Sequence, residues 1–160
     1  MKRIFTAAIA VAAIALEGTT PAWSTTFPAL TPIYFASGAM DNNDTTSSGV
    51  ATVVSCSNMS GQTASIRYQF RGENGTPVAG GTLLVANLAT KTVLTEGGVN
   101  FVSSTQLPTG IFYSGSIQVL STQSAVFCSA MLVHAGGQST GPAGAALHMV
   151  RLNPHPGTVE

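Results

Sequence analysis

The stretch ASIRYQFRGENGT, residues 64–76, alternates with a period of two. Ala64, Ile66, Tyr68 and Phe70 fall on one side, and Ser65, Arg67, Gln69 and Arg71 on the other. Successive side chains of a strand point to opposite faces. This pattern therefore reads as a strand with one face in a core and one in water. Asn74-Gly75 follows, and both residues accept the positive φ that a tight hairpin turn demands. Pro77 comes next. It has no N–H to give to a ladder, which suits a loop or a sheet edge and not a central strand.

Working outward, the same period recurs in short runs separated by turn signals. IYFASGAM and GVATVVSCSNM precede the quoted stretch. GTLLVA and KTVLTE follow it, with NLAT between them. SGSIQVLS and SAVFCSAMLVH are joined by a tight TQ connection, and ALHMVRL comes last. Gly97-Gly98 and LPTG at 107–110 punctuate the middle. Nothing after residue 24 has the period of a useful helix, although SSTQLPTG has room for a single turn. Seven to eight short strands at this spacing predict an all-β, antiparallel sandwich.

The two cysteines, Cys56 and Cys128, lie in an early and a late strand-like run. An even count in an exported chain reads as a disulfide. Closing a loop of about 72 residues is worth roughly 4 kcal/mol in chain entropy. An inter-sheet bridge is the expectation. Tyr68 and Phe70 sit 12 and 14 residues after Cys56, near where an immunoglobulin domain keeps its core aromatic. In that architecture the chain resembles an immunoglobulin-like sandwich. YFASGAMDNNDTTSSGVATVVSCSN and AVFCSAMLVHA also resemble uncharacterised exported bacterial β-proteins. Neither resemblance implies an activity or a partner.

Export is read from the N-terminus. Lys2 and Arg3 precede an apolar run at 4–16, and Ala22-Trp23-Ser24 has small residues at the −3 and −1 positions. This is the layout of a secretory signal peptide, 1–24. The run is short of the ~20 apolar residues of a spanning helix. The expected mature protein is a single domain, 25–160, secreted or periplasmic, with no membrane span after signal removal.

Within 25–160 the basic residues are Arg67, Arg71, Lys91 and Arg151, and the acidic ones Asp41, Asp44, Glu73, Glu96 and Glu160. There is no basic patch for a phosphate backbone, so no nucleic-acid partner is expected. Solvation must come from Ser, Thr, Asn, Gln and Gly, as on a hydroxyl-faced sheet. Three glycosylation-type triplets start at Asn43, Asn58 and Asn74; they matter only in a eukaryotic secretory pathway.

Motifs that could carry chemistry are few. GQSTG at 137–141 matches a nucleophile-elbow pattern around Ser139. That chemistry needs a strand-to-helix turn with an acid and then a histidine downstream. No acid lies between Ser139 and His148, and a glycine-rich loop accounts for every residue. DNND at 41–44 offers hard oxygen ligands for calcium, but Asn and Asp bonding their own backbone in a turn explain it as well. His134 and His148 lie side by side only if the last two strands pair them directly. Even then they supply two ligands where structural zinc wants four. His155 is about 23 Å of extended chain from His148 and is flanked by Pro154 and Pro156. For a glycan-binding face, Tyr34, Phe112 and Tyr113 are the available aromatics, with a core role as the competing fate.

The expectation is therefore an exported, non-enzymatic structural or interaction module of the cell envelope or extracellular space. No catalytic residue, metal ligand or cofactor is assigned, and the ligand and partner are left open. The alternatives are a pilus-like or surface-filament subunit and a small-ligand or glycan-binding module.

Overall fold

The computed structural model describes residues 26–42, 49–96, 104–134 and 145–152. The expected signal peptide, Asp44, Ser139 and His155 lie outside them. Ten strands run in the order β1 (Thr26–Asp41), β2 (Val50–Asn58), β3 (Ala64–Arg71), β4 (Pro77–Val85), β5 (Thr90–Leu94), β6 (Ser104–Gln106), β7 (Phe112–Gln123), β8 (Val126–His134), β9 (Ala145–Leu147) and β10 (Val150–Arg151). Seven have five residues or more; β6, β9 and β10 are the short additions. The strands form two five-stranded sheets, ordered β10-β1-β7-β3-β4 and β6-β5-β2-β8-β9. One core joins the sheets, so the molecule is a β-sandwich.

The quoted stretch behaves as its period demands. Ala64, Ile66, Tyr68 and Phe70 of β3 are fully buried, while Arg67 is exposed and Ser65, Gln69 and Arg71 are half-buried. Gly75 takes φ 80° in the turn, and Gly72 N–H donates to Thr76 O at 2.9 Å. Pro77 opens β4, which is an edge strand.

Facing β3 across the sandwich are Val54 and Cys56 of β2, Val93 of β5, and Val126 and Ala130 of β8. Ile33, Ile117 and Val119 complete the first sheet's side. Each such Val, Ile or Phe contributes roughly 1.5–3 kcal/mol over leaving it exposed. A smaller cluster of Ala51, Val53, Leu94 and Val133 lies on the other face of the second sheet. Beside it the same face carries cross-strand hydroxyl pairs, with Phe127 exposed opposite Ser57. Ser55 and Thr92 bond across the strands at 2.8 Å, and Ser57 and Thr90 at 2.7 Å. Such cross-strand hydroxyl pairs let a sheet with little charge present a polar face.

The structure corrects the sequence reading at four places. First, the disulfide is within a sheet. Cys56 and Cys128 are register partners on neighbouring strands β2 and β8, so the bond ties two strands of one layer and does not cross the core. Second, Thr122 and Gln123 are not the connection but the end of β7, and the tight link falls at the next two residues. β7 belongs to one sheet and β8 to the other, so Ser124 and Ala125 form an arch across the sandwich edge. Third, Ser104–Gln106 is a strand and not a helical turn. β6 lies parallel to β5, and Leu107 N–H donates to Leu94 O at 2.8 Å. The apolar Leu107 side chain inserts into the core, which draws this segment alongside β5. Fourth, ALHMVRL is two strands. β9 pairs with β8, and β10 crosses to pair with β1.

Two polar side chains stitch the layers. Thr52 of β2 donates its hydroxyl to Met40 O at 2.7 Å and accepts Met40 N–H at 2.8 Å, so it acts as a strand partner for the β1 edge. Arg151 of β10 spans the β7–β8 arch. Its guanidinium donates to Tyr34 Oη at 2.6 Å, to Val126 O at 3.2 Å and to Ser124 O. It also lies over the Tyr34 and Phe127 rings, 5.1 and 5.5 Å from their centroids. The five-donor guanidinium thus bonds carbonyls on both sides of the arch.

Candidate functional site

The β3–β7 ladder ends at the pair Arg71–Ser116. Beyond it the two chains diverge. The β3 chain turns through residues 72–76 into β4. The β7 chain, followed backwards, stays with β1 through Ala39–Gly115 and Asp41–Phe112. A notch opens between them, lined by Gly72, Glu73 and Asn74 on the turn and Ile111, Phe112, Tyr113 and Ser114 on β7 and the residue before it. Its volume is about 230 Å³, less than the roughly 300–1,000 Å³ of a drug-sized pocket.

Close backbone approach holds the notch's inner end. A Cβ on Gly115 would stand 2.3 Å from Arg71 O, so only glycine lets the two strands meet there. Phe112 is buried and packs on Phe70 with ring centroids 6.3 Å apart. Tyr113, its neighbour, must then point outward, and it is 66% exposed. Ile111 is 49% exposed.

The turn wall is polar and ordered. Asn74 Oδ1 accepts from Thr76 N–H at 3.0 Å and from the Thr76 hydroxyl at 2.5 Å. This fixes the amide and leaves its NH2 as the donor side. Arg71 donates to Gly75 O at 3.1 Å, which braces the turn. Glu73 and Asn74 are exposed. The notch thus combines an exposed aromatic and aliphatic wall with a carboxylate, an amide and the Ser114 hydroxyl.

The three candidate aromatics separate. Phe112 and Tyr34 go to the core, and Tyr34 also serves Arg151. Tyr113 alone of the three remains on the surface. Residues 111–113 alternate in exposure, and the period of two is the signal by which sequence alone separates Phe112 from Tyr113.

The histidines are not brought together as a pair in register. β8 and β9 pair through Leu132–Ala145, Met131–Ala146 and Ala130–Leu147. His134 lies beyond one end of this ladder and is opposite Val50 of β2. His148 lies beyond the other end, where the chain leaves for the second sheet. No group of three or more His, Cys, Asp or Glu that could hold a metal occurs among the described residues. Of DNND, Asp41 is buried and accepts the Thr109 hydroxyl at 3.1 Å. Asn42 Oδ1 accepts Val50 N–H at 2.6 Å. Asn42 thus ties the end of β1 to the start of β2, and Asp41 ties it to the segment that leads into β7. Asn58 is fully buried, with Nδ2 donating to Gln62 O and Val85 O and Oδ1 accepting from Ser60 N–H; the folded chain offers no glycan acceptor there. Asn74 is the exposed one of the two described triplet asparagines.

Fold and site together define a disulfide-linked β-sandwich with a small aromatic notch at one end of a sheet. No protein family and no curated protein matches the chain. Among solved structures it is similar to Thermotoga maritima 1070, with 14% identity, 82% of this chain and 100% of that one covered, and a TM-score of 0.44. A likeness of that degree carries nothing over to this chain.

Proposed function

We propose that this chain is an exported, non-enzymatic interaction module of the cell envelope or extracellular space, secreted or periplasmic and immunoglobulin-like in the broad sense. The observation that carries the reading is the Cys56–Cys128 bond between two adjacent strands of the second sheet. A structural disulfide in a small β-domain belongs with an oxidising compartment. The signal-like residues 1–24 and the hydroxyl-bonded, weakly charged sheet face support the same reading. The test is expression of the full chain in a bacterial host, followed by fractionation and intact mass with and without reduction. Processed 25–160 outside the cytoplasm, with no alkylatable thiol until reduced, is expected. Full-length cytoplasmic protein with two free thiols would overturn it.

Two alternatives retain a specific observation. The β4 edge has no charged residue along its nine positions, and uncharged edges accept strands. That favours a filament subunit, and concentration-dependent assembly on size-exclusion chromatography is its measure. The Tyr113 notch favours a small-ligand or glycan-binding module.

A further inference from the structure

We infer that the notch between the β3–β4 turn and the start of β7 takes one neutral pyranose ring, stacked against Tyr113 and hydrogen-bonded by Glu73, Asn74 and Ser114. This deepens the glycan-binding alternative and rests on it. A pyranose has an apolar C–H face and a rim of hydroxyls that both donate and accept. The notch offers the complement. Tyr113 and Ile111 are 66% and 49% exposed, respectively, and form its apolar wall. Glu73 supplies acceptors, the Asn74 NH2 a donor, and Ser114 either.

The volume of about 230 Å³ suits a single ring and not a longer chain lying flat. Charge decides the class further. Glu73 is the one carboxylate of the lining, so an anionic ligand is repelled. A cation is better held by a cage of several aromatic faces than by one, and Phe112 is buried and unable to supply a second. The site is also prepared in advance: the Thr76 bonds fix the Asn74 amide, and Arg71 braces the turn through Gly75 O. Less ordering entropy is then lost on binding.

The probes are methyl glycosides of glucose, galactose, mannose and N-acetylglucosamine, followed by saturation-transfer NMR on the protein as purified from expression of the full chain. At least one should receive saturation at its ring C–H protons. Tyr113→Ala should weaken that binding about tenfold, since an aromatic contact is worth ~0.5–1.5 kcal/mol beyond its area. Tyr113 is on the surface, so the variant's unchanged melting temperature serves as the folding control. Glu73→Gln separates the ligand classes: a neutral sugar keeps binding within a few fold, because the amide still accepts, whereas a cationic ligand is lost. Absence of transfer to all four glycosides, or binding untouched by Tyr113→Ala, would falsify the assignment. Neither result bears on export or on the disulfide, so the broader reading is tested separately.

Discussion

Cys56 and Cys128 stand directly opposite one another on antiparallel neighbours, with Cα atoms 4.2 Å apart. That is the close spacing of a pair that exchanges no ladder hydrogen bonds. The bond therefore adds a covalent tie to two strands that already lie side by side. Its largest effect is on the unfolded chain, where it closes a loop over a sequence separation of 72.

Removing the bond should show that effect. The double substitution Cys56→Ala with Cys128→Ala is expected to lose roughly 2–5 kcal/mol of unfolding free energy. Urea unfolding of the variant and of the native protein, with and without reductant, measures it. A variant as stable as the oxidised native protein would contradict the loop-entropy account.

Arg151 should be worth more than a surface charge. Arg151→Ala removes the guanidinium's bonds to the Ser124 and Val126 carbonyls and the Tyr34 hydroxyl. A loss of ~1.5–3 kcal/mol is expected for bonds to a charged donor. Arg151→Lys should recover only part of it, because an ammonium cannot reproduce the planar fork. Hydrogen exchange at Leu152 N–H, which donates to Ile33 O, should quicken in both variants.

Thr52→Val keeps the shape and removes the hydroxyl. Met40 N–H and Met40 O then lose the one group that serves both. The expected cost is ~1–3 kcal/mol, and Thr52→Ser should restore most of it. Thermal unfolding of the two variants compares them directly.

Tyr68 is fully buried, and its hydroxyl has no hydrogen-bond partner among the described residues. Burial raises its pKa well above the usual 10.0. A raised folded pKa means stability that is present below about pH 10 and is lost as the pH climbs toward the folded value. Tyr68→Phe removes both an unsatisfied group and this alkaline sensitivity. It should be neutral or stabilising by up to ~1 kcal/mol near neutral pH, with a flatter stability profile above pH 10. Urea midpoints at pH 7 and at pH 10.5 would show it.

Gly115→Ala places a methyl 2.3 Å from Arg71 O, against backbone that cannot rotate away. A loss of ~1–3 kcal/mol is expected from overpacking. Gly81→Ala instead meets the Leu107 side chain, at 2.6 Å. A side-chain end can move, so its cost should be the smaller. Melting temperatures of the two variants rank them.

Much of the fold was legible because its signals are local. The alternation of Ala64, Ile66, Tyr68 and Phe70 and the Asn74-Gly75 turn act within a few residues, and β3, its hairpin and the edge position of β4 all followed. The disulfide followed from a count of two. The expected placement of the bridge did not, because a separation of 72 says nothing about which strand neighbours which. The β7–β8 connection was visibly short, but shortness alone does not distinguish a hairpin from an arch. The site was half legible: Tyr113 stood among three candidates, and alternation beside a core Phe112 would have singled it out.

Taken alone, the residues determined a chain of short alternating strands, two partnered cysteines, and a surface solvated by hydroxyls more than by charge. Only the tertiary structure decided that Cys56 and Cys128 share a sheet, that the last strand divides between layers, and that His134 and His148 miss each other. It also decided that a notch opens where β3 turns away from β7. Strand character is written in neighbours two residues apart. Strand partnership depends on which distant segments bury each other's apolar faces, as when Arg151 reaches Tyr34 across 117 positions of chain.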